Sequence, residues 1–272
     1  MHKVLVLGGS GLIGKAIIRE MDKYKDFEIY STYYEHTLLL NKCTSFKLNI
    51  EELENINSIL NNVKPKIIVS CLRGDYDKQL IFHTKIAEYL KQNGGNLYFF
   101  STANVFDNDY SKPHYEDDVP NSRTDYGRYK IACEKSITKI LNDNACILRI
   151  PQVWGKYSPR MIQLLKSLNN NKAITVYPKL LLNVNTDVMI AKQLCYIIEN
   201  RLSGIFHLVS EDIDNYNNFF NELIMGLGFD NAKIEENLKE EGYFALLSKR
   251  SDEFPKYLRV CNKSVIEYLT AK

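Results

Sequence analysis

A chain of 272 residues, 45% of them hydrophobic and 25% charged, can bury a sizeable core, either as one large domain or as a main domain with an appendage. Its formal net charge of +2 lacks the basic excess that nucleic-acid binders use against phosphate, so no nucleic-acid partner is expected. No apolar run approaches the roughly 20 residues that span a bilayer, and the one following the N-terminus is shorter than a signal-peptide core; the expectation is a cytoplasmic protein with no membrane partner.

The first element, 3–7, reads VLVL and leads into GGSGLIG and an amphipathic helical segment. Gly8, Gly11 and Gly14 let the backbone turn tightly beneath a pyrophosphate, whose charge then meets the N–H groups of a helix N-terminus. A strand before this turn and a helix after it make it a dinucleotide-binding motif, with Ser10, Leu12 and Ile13 contributing to the same turn. A second strand, 28–33, places Thr32 where an Asp or Glu would hold the ribose of NAD. Without that acidic group or a neighbouring basic one, the cofactor is NADP(H) or NAD(H), tilting to NADP. After the third strand, 46–48, Asn49 and Ile50 are placed to meet an adenine, or simply to end the strand.

Strands follow at 66–70, 96–101 and 145–150, with helical periodicity between most of them, which predicts βαβ units and a parallel sheet. Runs such as IIVS, LYFF and CILRI are apolar throughout, as in strands covered on both faces. The fourth ends in VSCLRGDYDKQ, where Arg73 points either at an anionic substrate group or into solvent. Within TDYGRYKIACEK, Tyr126 and Lys130 are four residues apart and so share a helical face, where an ammonium favours the phenolate and makes the tyrosine a usable acid and base. Glu116, Asp117 and Asp118 read as a solvated loop before that helix. After Pro151 the alternation fades. A helix at 186–200 and the run GIFHLVS are expected in a smaller second lobe, giving domains at 1–155 and 156–272, with some segments returning to the first.

The six cysteines are scattered without CxxC spacing, so reduced thiols are expected, and the five histidines show no metal-ligand pairing.

Taken together, GGSGLIG, FFSTANVF, YGRYK, ILRIPQVWG and NVNTDVMIAKQL with GIFHLVS resemble the extended short-chain dehydrogenase/reductase family, in its dTDP-4-dehydrorhamnose reductase-like, sugar-nucleotide-modifying branch. The resemblance implies an α/β fold, a Rossmann-like doubly wound parallel sheet with a small C-terminal substrate-binding lobe. It also implies an NAD(P)-dependent oxidoreductase acting on the keto group of a nucleotide-linked sugar. Thr102 would bond the substrate oxygen, Tyr126 would pass the proton, and Lys130 would hold the nicotinamide ribose and depress the tyrosine pKa. Strand alternation leaves only one of Ser101 and Thr102 facing the site. Gln152 lies in the loop expected between cofactor and substrate, and Trp154 reads as packing. A homodimer follows from family habit alone. Two rival readings are an epimerase or dehydratase, against which Ala103 and Asn104 stand in place of an acidic pair, and a non-catalytic dinucleotide-binding regulatory subunit.

Overall fold

The computed structural model describes residues 2–37 and 42–271. Strand β1 (His2–Leu7) runs into helix α1 (Leu12–Met21), and β2 (Phe27–Tyr33) and β3 (Cys43–Lys47) follow. Next come α2 (Leu53–Val63), β4 (Ile67–Ser70), α3 (Tyr76–Asn93), β5 (Asn96–Thr102), α4 (Asp125–Leu141) and β6 (Ala145–Ile150). The remaining elements are β7 (Gln152–Trp154), α5 (Pro159–Asn169), β8 (Ile174–Val176), β9 (Lys179–Leu182), β10 (Val184–Thr186), α6 (Asp187–Glu199) and β11 (Gly204–His207). The chain ends through β12 (Asp214–Asn215), α7 (Tyr216–Gly226), β13 (Ile234–Glu236), β14 (Glu241–Phe244) and α8 (Asn262–Thr270).

Seven strands form the main sheet in the order β11-β6-β5-β4-β1-β2-β3, every pairing parallel. The reversal of winding on either side of β1 and β4 makes this a doubly wound Rossmann-like sheet, whose ligand crevice lies beyond the strand C-termini at that switch. Helices cover both faces. Ile17, Ile18 and Met21 of α1 pack with Leu194, Cys195 and Ile198 of α6 on one side. Ile59 of α2, Phe82 and Ile86 of α3, and Cys133 and Ile137 of α4 fill the other. Continuous apolar strands are the physical signature of that double cover.

The boundary expected near residue 156 is crossed twice. After β6 the chain enters a lobe through β7 and α5, then returns, because the apolar stripe of α6 completes the layer over α1 and β11 pairs with β6. What remains of the lobe is a separate core in which Trp154, Leu164, Val176, Phe219, Leu223 and Val265 pack together. Two small sheets, β12-β9-β14 and β13-β8, close it. All six cysteines are free thiols. Among the described residues no helix is long and apolar enough to cross a membrane, and no cluster of His, Cys, Asp or Glu is arranged to hold a metal ion.

Candidate active site

At the β1–α1 turn Gly8 takes φ +79 and Gly11 caps α1, so the first helical N–H groups open toward the crevice. A Cβ on Gly14 would collide with the Gly8 carbonyl oxygen and come to 2.8 Å from Gly9 Cα. The close approach of helix to turn therefore depends on glycine, and Gly14→Ala is expected to destabilise the protein by about 1–3 kcal/mol, seen as a lower urea midpoint at unchanged slope. Ser10, Leu12 and Ile13 lie in this turn and the start of α1, partly exposed.

Thr32 stands at the end of β2. It is buried, and its Oγ1 accepts a hydrogen bond from Gly8 N at 3.0 Å, so the side chain fixes the glycine turn. Asn49 is likewise engaged locally: its Oδ1 accepts from Glu51 N at 3.1 Å and its Nδ2 donates to Glu52. This Asx-type turn leads into α2. Ile50 packs against the core behind β1 and β4.

On the other side of the crevice, the end of β5 carries Ser101 and Thr102 on opposite faces. Ser101 Oγ donates to buried Glu134. Thr102 lies beside the Tyr126 hydroxyl, and its own Oγ1 donates to Asn104 Oδ1 at 3.0 Å. Helix α4 begins at Thr124, whose Oγ1 caps Gly127 N at 3.2 Å. A side chain on Gly127 would run into Asn104 O and Ser122, so this glycine lets the first turn of α4 sit against the end of β5. That contact brings Tyr126 to Thr102.

Asp107, which sequence reasoning passed over, ties the two together. Its carboxylate accepts from Ser122 Oγ (2.7 Å), Arg123 N (2.7 Å) and Thr124 Oγ1 (2.6 Å). Burial pushes this carboxyl up, but the hydrogen bonds from Thr124, Ser122, Arg123 and Asn104 outweigh it and hold it below the usual carboxylate range. Its position directly after STANVF was the available signal.

Lys130 lies on the same helix as Tyr126. One turn after Tyr126 it is buried, donating to Phe100 O at 2.8 Å, with its Nζ 4.4 Å from the Phe99 ring centroid. Burial lowers its pKa to about 8. Tyr126 is itself raised by burial, opposed by the Arg73 charge and the Thr102 hydroxyl. Arg73 comes from the loop after β4. Behind Lys130 lies a further buried chain: Tyr129 OH donates to Gln79 Oε1 (3.0 Å), and neutral His83 bridges Gln79 O and Ser70 Oγ, each at 2.7 Å.

Gln152 lies on β7 at the entrance to the lobe, its Oε1 buried without a hydrogen-bond partner. Trp154 is wholly buried against Phe219 and Phe220, a packing residue as read from the sequence. The acidic run is not solvated throughout. Glu116 is buried, accepting from His207 N, Ser248 Oγ and Lys249 N, because the segment after β14 folds back over it.

A glycine-turn crevice facing paired Thr and Tyr hydroxyls, with a lysine one turn on, defines a short-chain dehydrogenase/reductase type of site. The RmlD substrate binding domain family model matches residues 1–243, and the chain belongs to that family. It is 29% identical over 167 residues to methionine adenosyltransferase 2 subunit beta of Danio rerio, which covers 57% of this chain and 49% of that one. The chain thus spans about half the length of the first curated relatives it matches. A dTDP-4-keto-6-deoxy-D-glucose reductase of Streptomyces niveus is 21% identical over 216 residues, 75% of this chain and 71% of that one. Among solved structures, dTDP-4-dehydrorhamnose reductase from Bacillus anthracis str. Ames in complex with NADP superposes with TM-score 0.80 at 17% identity, over 100% of both chains.

Proposed function

We propose that the protein is an NAD(P)-dependent reductase of the keto group of a nucleotide-linked sugar. The observation that carries this reading is that the end of β5, with Thr102, and the first turn of α4, with Tyr126, are packed together by Gly127 at the C-terminal edge of the sheet that also carries the glycine turn. The glycine turn fits a pyrophosphate, since side chains at Gly14 would fill the space the turn needs. When bound, the dinucleotide supplies the hydride.

The chain's own residues do the rest. Tyr126, held protonated at neutral pH by burial, is the proton donor to the substrate oxygen. Thr102 hydrogen-bonds the same oxygen by turning its proton from Asn104 Oδ1, and stabilises negative charge as it develops there. Lys130, within the same helix and charged below about pH 8, supports the nicotinamide ribose. The Gly8–Gly14 turn binds the pyrophosphate, and the lobe around β7 and α5 takes the sugar nucleotide. The family and the Streptomyces niveus relative support the substrate class; the NADP-bound neighbour supports the cofactor.

NADPH at one hundred times its dissociation constant is expected to stabilise the protein by about 2.7 kcal/mol, a rise of roughly 5–10 °C in melting temperature. A thermal-shift series with NADPH and NADH in parallel decides between the cofactors, and no shift with either would remove the reading. A second reading, a non-catalytic dinucleotide-binding subunit, is favoured by the relative that is by name a subunit beta. It predicts cofactor-induced stabilisation with no NAD(P)H oxidation on any keto-sugar nucleotide.

A further inference from the structure

Among the described residues, the buried side-chain atoms Gln79 Nε2, Gln152 Oε1 and Trp154 Nε1 have no hydrogen-bond partner. Trp154 belongs to the lobe core, and Gln152 is partly exposed as a residue. Gln79 is wholly buried, the fourth residue of α3, just after the strand end where the crevice lies. An amide NH2 enclosed without an acceptor is costly, and native structures rarely keep one without a reason.

The orientation of this amide is fixed. Tyr129 OH donates to Gln79 Oε1 at 3.0 Å, and burial, which raises the Tyr129 pKa, keeps that hydroxyl protonated. His83, held neutral by burial, donates from Nδ1 to Gln79 O and accepts at Nε2 from Ser70 Oγ, both at 2.7 Å. These bonds tie the start of α3 to the end of β4 and take up the oxygen end of the amide, leaving the NH2 end to the loop between the two elements. A Cβ on Gly74 would lie 3.6 Å from Nε2, and Gly74 is exposed, with φ +126. Glycine backbone, with no side chain, therefore lies between this donor and the surface.

That loop runs from one half of the site to the other. At its start a Cβ on Gly8 would come to 3.3 Å from both C and O of Cys71, so the loop touches the turn that fits a pyrophosphate. At its end the Tyr76 ring stacks on Tyr129 at 4.9 Å and lies 5.9 Å from the ring of Tyr126. Lys130 Nζ is 5.2 Å from the centroid of the same Tyr129 ring. In a nicotinamide dinucleotide the piece that joins the pyrophosphate to the reacting ring is the nicotinamide-side ribose, whose oxygens are hydrogen-bond acceptors.

We propose that Gln79 is a cofactor-binding residue, its Nε2 donating to an oxygen of the nicotinamide-side ribose when the dinucleotide occupies the crevice. This rests on the reductase reading above and adds a donor that reading does not use. An NH2 already stripped of water loses no further hydration when an acceptor arrives, so the bond contributes its full worth to binding.

Calorimetric titration of wild type and of Gln79→Met tests it, with NADPH and NADH and with their adenosine fragments 2′,5′-ADP and AMP, which lack the nicotinamide half. Methionine keeps the length and volume of the side chain. Gln79→Met is expected to bind the dinucleotide about tenfold more weakly, the worth of one hydrogen bond to a donor otherwise unsatisfied. Affinity for the adenosine fragment should change by less than about twofold. In the wild-type protein, one proton of the Gln79 side-chain NH2 should move downfield in the NMR spectrum on adding the dinucleotide and stay in place with the fragment; this reading decides even where Gln79→Met does not fold.

Equal dinucleotide affinity in wild type and Gln79→Met overturns the role given to Gln79 and leaves the reductase reading intact. So does an equally large loss for the adenosine fragment, or an NH2 signal that stays in place while the dinucleotide binds. A wild-type protein that binds neither NADPH nor NADH removes the reductase reading, and the role of Gln79 with it.

Discussion

Tyr126→Phe is expected to lower kcat for keto-sugar reduction by about 10²–10⁴, the usual contribution of a positioned general acid, while leaving NADPH affinity unchanged. The phenylalanine ring keeps the contact with Tyr76 and the packing on α4, so only the proton and its link to Thr102 are removed. A stopped-flow or steady-state assay of NADPH oxidation reads the loss, and titration of cofactor fluorescence reads the binding. Undiminished kcat in Tyr126→Phe would remove the proton-transfer assignment. The pH profile adds an independent check. Burial brings the Lys130 ammonium down to about pH 8 and holds the Tyr126 phenol above its ordinary value, so Lys130 deprotonates first as pH rises. In the free enzyme kcat/KM should accordingly fall above about pH 8, and Lys130→Met should abolish that limb.

Arg149→Met is expected to cost about 3–5 kcal/mol of stability, lowering the melting temperature by roughly 6–20 °C. Arg149 is almost fully enclosed at the end of β6. It donates from Nε and Nη2 to the Glu134 carboxylate, at 3.2 and 2.8 Å, and from Nη1 to Glu116 O and His207 Nε2, both at 3.3 Å. His207 can accept because burial lowers its pKa to about 4, which keeps it neutral while its Nδ1 donates to Leu247 O. Removing the guanidinium leaves Glu134 as a buried carboxylate with Ser101 as its remaining side-chain partner. Urea and thermal melts of Arg149→Met and of Arg149→Met with Glu134→Leu separate the causes. The double variant should recover most of the loss, because a neutral, well-packed pair leaves no uncompensated charge. A single variant within 1 kcal/mol of wild type would contradict this account.

The features legible in the sequence were those written in local pattern. The glycine spacing, the apolar strands and the four-residue spacing of Tyr126 and Lys130 all depend on neighbours close in the chain, and the sheet, both helical layers and the Thr102–Tyr126 pairing follow from them. What stayed hidden depends on partners far away. The stripe of α6 carries no mark of belonging to α1, and β11 is recognised as a main-sheet strand only once β6 is there to pair with it. Thr32 was placed at the right strand end, but nothing in its own vicinity shows that Gly8 N points at it. Spacing placed Lys130 on the Tyr126 face but could not show that Phe100 O would claim its ammonium. Glu116 reads as a surface acid until residues 248 and 249 close over it.

The late return of α6 and β11 bears on how the protein is made. A chain released only as far as β6 has an unpaired parallel strand edge and an α1 layer without its apolar partners from α6. During synthesis that edge stays open until residue 207 has emerged, after the whole of β7 to α6 has been produced, and unpaired strand edges of this kind are where nascent chains associate wrongly. Cutting the gene at the apparent boundary near residue 155 would therefore yield an aggregating fragment rather than an isolated nucleotide-binding half. An insertion at an exposed lobe turn such as Asn170–Asn171 interrupts neither the sheet nor its helical cover.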